Sequence, residues 1–525
     1  MGTAGDGTFD LVVVGGGLGG LATAALAQAR GRRVALLEAH TKLGGCAGYF
    51  DRGPYTFDAG ATALMGLGRG EPVGALLDEI GLDFDAERTP AYRVHLPDRT
   101  LDIVPDRDRF EAASAAAFPG LAGADRRFWR LQAAVGDRLF AVAARQPRLP
   151  FRNAGDVLHG ARVLGLSGAM AAATSLLTVD GVLRLFGLKG DRAFRALVAM
   201  LLQDTAQAGP DTVPFANAAA CLQAYRRGLA RPRGGMRALA EGIGERFAAL
   251  GGDLRTGTLV DRVEPDPDVP GGFVVATRRR HRLHARQVAF NLPLDLASRL
   301  LGRSLDTERR LGRAERSSRA RWSAVTAYAA FRRDVLPADG PLFHQVLHDY
   351  DAPIHGGNNV LVSLSPAGDN GYAPDDARVA TMSTHTPPED WEALDRPGHE
   401  ALKAAYAERL RAALRRAIPG VDEAMLHIEF ASPRAFARYT RRTHGAVGGP
   451  PVSRRNANLR AVHPGVLGPG LWVVGDSVFP GQGTMAVVLS AMRVAEAVAG
   501  PRGVVIGASA GDGAGRPVEA VPGSC

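Results

Sequence analysis

The sequence predicts an α/β protein built from two interleaved domains, and three observations point to it. Within the first forty residues a strand-like run, a glycine turn, a helical run and a second strand follow one another. Near the other end a short strand, Leu471 to Val474, again opens into glycine and then into a helix from Thr484. Between these ends lie further strand-like and helical runs, enough for a separate layer. At roughly 150 residues per domain, 525 residues give about three to four domain-sized units, so a large core needs no disulfide or structural metal to hold it.

Composition narrows the function classes. Apolar residues make up 46% and charged residues 22%, which excludes a wholly disordered chain. The three cysteines, Cys46, Cys221 and Cys525, lie far apart, so a disulfide scaffold or a cysteine-rich zinc site is not expected and a reducing compartment is. Net charge is +9, yet all but three of the 63 basic residues are arginine, with Lys42, Lys189 and Lys403 the exceptions. That skew fits a G+C-rich coding bias, and no nucleic-acid partner is expected. The densest basic run, Arg278 to Arg282, sits between two strand-like segments and reads as a solvated turn, with a patch meeting anionic lipid as the alternative.

The opening run justifies the first element. Phe9 to Val14 is β-rich, Leu21 to Gly31 is a good helix former, and Val34 to Glu38 is a second strand. Gly15, Gly17 and Gly20 stand between strand and helix in the G-x-G-x-x-G pattern. In a Rossmann-like βαβ unit the first makes the tight turn, the second lets backbone approach a pyrophosphate, and the third lets helix and sheet pack closely. The phosphates meet unpaired N–H groups at the helix start. Glu38, 18 residues after Gly20, ends the second strand where a carboxylate accepts bonds from a ribose. Dinucleotide binding is therefore expected.

The next residues select the kind of dinucleotide. Leu43-Gly44-Gly45-Cys46 and then Phe57-Asp58-Ala59-Gly60 resemble the extended fingerprint of the flavoprotein superfamily of amine oxidases and carotenoid desaturases. The stretch from Gly44 to Leu64 is closest in wording to the carotenoid 3,4-desaturase, carotenoid isomerase and retinol saturase branches. The resemblance implies FAD, with Gly44 and Gly45 along its diphosphate and the turn ending at Gly60 on the flavin side. Many members carry Arg after the Gly-Gly pair. Cys46 stands there instead, which implies more reliance on backbone amides. Arg231 to Met236 resembles the point where such chains re-enter the cofactor domain, which adds Gly234, Gly235 and Met236, and Val260 in the strand that follows. Met236 also begins the stripe Met236, Leu239, Ile243, Phe247 and Leu250, which is a core face. At the C-terminal end, Gly475-Asp476-Ser477 and Phe479 to Met485 resemble the second FAD motif of carotenoid isomerases and related desaturases. Asp476 is the candidate for the ribityl hydroxyls. Gly481, Gly483, Thr484 and Met485 form the turn and helix start near the flavin ring. Phe436 to Pro451 resembles the desaturase side of the group.

The resemblance implies an amine oxidase/phytoene desaturase-like fold. A discontinuous FAD-binding domain is expected over residues 8–75, 225–300 and 431–500. A mixed-sheet plus helical substrate domain, facing the membrane, is expected over 76–224 and 301–430. Strands are predicted at Trp322 to Phe331, Asn359 to Leu364 and Arg378 to Thr384, and a helix at Gly398 to Ile418. Residues 501–525 are expected to form a flexible tail. Val163 to Val179 is uncharged but short for a membrane span of about 20 residues. It predicts a buried helix or, alternatively, a segment dipping into one leaflet. No export signal is expected, and the location predicted is cytoplasmic, with peripheral contact to the inner membrane face.

No Ser-His-Asp order and no metal-ligand spacing is present, His344 and His348 included, so no metal is expected and the reactive group would be the flavin. The implied substrate is an apolar polyene or isoprenoid in a long apolar tunnel, most simply desaturated by hydride transfer to flavin N5. Oxygen or a quinone would take the electrons. The alternatives are a flavin-dependent isomerase or saturase, or a flavin oxidase acting on another apolar or amine substrate. A lipid escort without cofactor is disfavoured by the acid and glycines kept at Asp476 and Gly481. The sequence identifies no catalytic acid or base; His385, Tyr439 and His444 are candidates only.

Overall fold

Leu11 and Val13 point to one face of the first strand, Phe9–Val14, and Val12 and Val14 to the other. All four are buried, so this strand must run through the middle of a sheet covered on both sides. In the computed structural model, which describes residues 7–500, it does. It pairs in parallel with Val34–Leu37 on one side and with the long strand Arg282–Phe290 on the other. Asp253–Arg255 extends the sheet beyond Val34–Leu37. The helices Leu18–Ala29, Gly235–Ala249 and Thr484–Ala499 cover one face.

The strand Arg282–Phe290 joins the distant parts of the chain. Its first half pairs antiparallel with Phe273–Thr277, and its second half pairs in parallel with Leu471–Val473. Val14, Leu37, Phe290 and Val473 thereby lie in one row at the carboxyl ends of four parallel strands. Ligands of open α/β sheets bind outside such a row. The basic run Arg278 to Arg282 is an exposed hairpin turn closed by Thr277 and His281.

A second seven-stranded sheet is mostly antiparallel. The strands predicted in the middle of the chain are present as Ser323–Arg332, Asn359–Leu364 and Ala377–Thr386. The sheet is completed by Met425–Ala431, Phe343–Leu347, Tyr92–Leu96 and Arg99–Ile103. Phe343–Leu347 pairs in parallel with Tyr92–Leu96, so residues 251 apart in sequence share one sheet. The predicted helix spans Arg396–Ala417 and packs on this sheet through Tyr406, Leu410 and Leu414. Six helices between Arg107 and Arg227 form a layer that shares one core with strand Tyr92–Leu96.

One expectation fails here. Val163 to Val179 is not a buried helix. It belongs to the helix Ala154–Ala173, which breaks at Gly165 (φ 57°), and to the turn after it. Leu166, Met170 and Leu176 are 83%, 67% and 72% exposed. A stretch without charge need not face a core, because apolar content alone does not say which neighbour covers it. No helix among the described residues is long and apolar enough to cross a membrane. The tail expected at 501–525, and Cys525 with it, lies outside the described residues.

Candidate functional site: a dinucleotide cradle opening into an apolar chamber

Beyond the row of strand ends lies a cavity of about 1610 Å³. Gly15, Gly17, Leu18 and Gly19 form part of its wall. The helix Leu18–Ala29 starts at Gly17, which offers no side-chain cap, so Leu18 and Gly19 at its start bring backbone N–H groups to this wall without a cap from that position. Gly20 is not on the wall. A Cβ there would sit 2.0 Å from the Gly15 carbonyl, so its task is the tight packing of turn and helix. At Gly17 a Cβ would meet the Asn291 carboxamide at 2.6 Å. With its oxygen turned toward the loop, Asn291 accepts from Gly17 N–H at 3.1 Å and Gly20 N–H at 3.3 Å. Asn291 follows the long central strand and was not legible as a site residue, because only the sheet brings it to the glycine turn.

Glu38 lines the same end of the cavity. Its carboxylate accepts from Gly16 N–H at 2.6 Å and His40 N–H at 2.7 Å. A carboxylate has about four acceptor positions, so capacity for a ribose remains. Gly44 takes φ 107°, closed to most side chains, and its N–H donates to the Gly16 carbonyl at 2.9 Å, which stitches the two glycine segments together. Gly45, Gly60 and Val260 also line the cavity.

The C-terminal motif closes the cradle from the opposite side. Gly475, Asp476, Gly483, Thr484 and Met485 line the cavity; Gly481, between two lining residues, does not. The helix Thr484–Ala499 also starts without a side-chain cap. Asp476 accepts from Arg442 Nη2 through both oxygens, at 2.6 and 2.5 Å, and Arg442 Nη1 donates to the Gly448 carbonyl at 2.8 Å. Burial alone would pull this guanidinium down, but Asp476 beside it holds its pKa above the ordinary value. Burial pushes the Cys46 thiol up, and Arg442 acts against that rise. The position of Cys46, where more reliance on backbone amides was expected, lies near a cation from 396 residues further along the chain. Arg442 lay within the Phe436 to Pro451 segment but carried no signal of its own.

Gly234, Gly235 and Met236 lie off the cavity. Met236 is buried in the core under the sheet, and its N–H donates to Asp58 Oδ1 at 2.8 Å. Asp58 also faces Arg231 at 3.0 Å and accepts from Tyr372 Oη at 2.9 Å, and neither charged side chain is exposed. Burial raises the Asp58 carboxyl, and Arg231 offsets part of that rise. The segment resembling a re-entry point thus serves as a buried polar joint between the sheets.

Away from the cradle the cavity becomes apolar, with Leu139, Phe140, Val142, Phe151, Leu164 and Leu176 on its wall. Asp204, Thr205, Gln207 and His385 interrupt it. Of the three candidates named from sequence, His385 is on this wall. Tyr439 is 58% exposed beside His40, at the nucleotide end. His444 is off the cavity, with its Nδ1 2.7 Å from Glu392 Oε1. Asp204 escaped the sequence reading because one Asp in a helix carries no pattern. His344 does not pair with His348; it stacks on His95, with ring nitrogens 3.1 Å apart. Among the described residues Asp266, Asp268 and His284 form the one group with metal-ligand spacing, and it lies away from this cavity.

The cradle fits a dinucleotide cofactor: two helix starts without side-chain caps, the Glu38 carboxylate at a strand end and glycines whose Cβ atoms would clash lie together at this end of the cavity. Residues 13–80 match the family model of the NAD(P)-binding Rossmann-like domain. Prolycopene isomerase of Arabidopsis thaliana is 25% identical over 95% of this chain and 84% of that protein. Phytoene desaturase (lycopene-forming) of Paracoccus sp. is 26% identical over 92% of this chain and 96% of its own length. Among solved structures, an oxidoreductase from Methanosarcina mazei and a putrescine oxidase bound to putrescine each superpose with a TM-score of 0.62 at 17% identity. They match 93% and 94% of this chain and 99% of their own. The fold is that of the amine oxidases and phytoene desaturases. Two-ended cofactor motifs, this fold and such relatives along more than nine-tenths of the sequence lead to one conclusion: the chain is similar to the carotenoid desaturases and isomerases.

Proposed function

We propose that the protein is an FAD-dependent oxidoreductase that desaturates an apolar, carotenoid-like polyene. The observation that carries this reading is the single cavity with a dinucleotide cradle at one end and an apolar chamber at the other. Gly15, Gly17, Glu38, Gly44, Gly45, Gly475, Asp476 and Thr484 would hold the cofactor. Bound FAD would supply an oxidised ring able to accept a hydride. The chain's own part is to bind, to align and to keep water out: a hydrocarbon offers no polar handle, so the chamber's shape selects it. Residues 8–75, 225–300 and 431–500 form the cofactor domain in this proposal, and 76–224 and 301–430 the substrate domain.

The cavity wall includes the exposed Leu176 and Leu459 together with Arg454 and Arg460, and the exposed Leu166 and Met170 lie on the helix Ala154–Ala173 just before Leu176. Apolar side chains beside arginines suit the boundary of an anionic lipid leaflet, so the protein docks there and draws its substrate laterally. Oxygen or a membrane quinone would take the electrons from bound FAD. A second reading, isomerisation with reduced flavin, is favoured by the Arabidopsis relative that spans 95% of the chain.

Two assays on one preparation test the proposal. Acid-released cofactor should be FAD, and an acyclic carotenoid supplied in vesicles should lose two hydrogens per added double bond. A protein without flavin, or turnover of an amine but of no polyene, overturns the reading.

A further inference from the structure

Removing two hydrogens from neighbouring carbons releases a hydride and a proton, and a hydrocarbon chamber has few places to put the proton. Four carboxylates line the cavity among the described residues: Glu38, Asp204, Glu429 and Asp476. Glu38 is held by backbone N–H groups, Asp476 by Arg442 and Glu429 by Arg52. Asp204 is held by neutral groups. Its Oδ2 accepts from Gln345 Nε2 at 2.5 Å, and its Oδ1 lies 3.7 Å from His385 Nδ1. The Gln345 amide is fixed in turn: it donates to the Met200 carbonyl, and its oxygen accepts from Tyr92 Oη at 2.9 Å.

This cluster adjoins the cofactor cradle. The Thr205 carbonyl accepts from Gln482 Nε2 at 3.0 Å, and Gln482 lies within the C-terminal motif. Gln207 and Gln482 converge so closely that a Cβ on Gly448 would lie 2.4 Å from both side chains.

We propose that Asp204 is the general base of the desaturation, and that His385 is a positioning residue which orients the Asp204 carboxylate. The assignment rests on the function proposed above. One C–H bond breaks with its electron pair passing to the oxidised flavin as hydride. The adjacent C–H bond breaks, its electrons form the new C=C, and its proton goes to an Asp204 oxygen. The two-electron oxidant is the flavin, restored by oxygen or a quinone, and the proton returns to solvent as the carboxyl reionises.

The electrostatics agree. Asp204 lies in the last turn of the helix Arg192–Ala206, where the helix dipole disfavours an anion. Burial lifts its carboxyl to about 7, against the pull of Gln345, which poises it as a base near neutrality. Burial lowers His385 to about 4, so the ring is neutral. Its Nε2 faces the Gln207 N–H at 3.4 Å and must accept, which puts the ring proton on Nδ1, toward Asp204. The other titratable groups around the pair are Tyr92, Tyr225, Cys221 and, behind His385, His355. Burial pushes both phenols up, takes Cys221 to about 11 and lowers His355, so none is charged at neutral pH.

The test compares holoenzyme with Asp204→Asn and His385→Gln. Without substrate, infrared titration should show a protonated-carboxyl band that fades with a midpoint near pH 7 and is missing in Asp204→Asn. In anaerobic flavin reduction by an acyclic carotenoid in vesicles, the wild-type rate should rise with pH through the same midpoint. Asp204→Asn should be slower by about 10²–10⁴-fold and flat with pH, at unchanged flavin occupancy and half-saturating polyene. His385→Gln should shift the midpoint while flavin stays bound. If the wild type works and Asp204→Asn keeps its rate and pH profile, the assignment is wrong. A wild type that reduces its flavin with no polyene overturns the proposed function, and this assignment with it.

Discussion

Asp476 and Arg442 meet in the wall of the cradle, where Asp476 keeps the buried guanidinium protonated and a lone charge would be costly. Asp476→Ala should weaken FAD binding roughly tenfold to a hundredfold, from the loss of about 1.5–3 kcal/mol in a charged hydrogen bond. Equilibrium titration of apoprotein with FAD measures it. Gly17→Val should lose more, since even a Cβ at that position clashes with Asn291. At the buried joint, Arg231→Met leaves Asp58 without its cation and should cost about 3–5 kcal/mol, seen as a lower melting temperature. Asp204 acts in the opposite sense. Its native carboxyl holds a proton up to about pH 7, whereas the unfolded side chain releases it near 3.8. Folding therefore takes up a proton inside that window, and stability falls as pH rises through it. Asp204→Asn should raise the melting temperature at pH 8 and have little effect near pH 4. At this scale the sequence spoke through spacing. Gly15, Gly17, Gly20 and Glu38 were legible because their tasks depend on near neighbours. Asn291, Arg442 and Asp204 were not, because each acts on partners that only the folded sheet or helix layer supplies.

Alternating burial and helical stripes identified most of the elements that carry the site. The strand at 323–332 and the helix at 396–417 lie where they were expected, although the strand is buried at every position but its last rather than in alternation. Tyr92–Leu96 gave little warning, since its parallel pairing partner lies 251 residues away. In the helix Ala154–Ala173 the same uncharged run suits a core or a lipid surface, and the break at Gly165 with the exposure of Leu166 and Met170 tells them apart. If this element docks on lipid, Leu166→Glu with Met170→Glu should abolish flotation with anionic vesicles. Flavin content should be unchanged, because neither side chain lines the cavity. Detergent but not salt should release the wild type. Undiminished flotation of the double variant would place the docking surface elsewhere.

Across the whole molecule, the strand Arg282–Phe290 gathers the first strand, the meander and the last strand, so that motifs 460 residues apart (Gly15 and Gly475) share one wall of one cavity. The interleaving was legible because motifs at both ends require a common ligand. The helical layer that shapes the chamber was not, because its packing follows no short pattern. The central claim is that oxidation of the polyene and reduction of the flavin are one event. A single turnover without oxygen or quinone tests it most directly, with flavin absorbance and polyene absorbance followed together. The account predicts that the flavin bleaches at the same rate as the polyene band moves to longer wavelength, one flavin for each new double bond. A change of double-bond geometry with no gain in conjugation, seen only when the flavin is reduced beforehand, would contradict it.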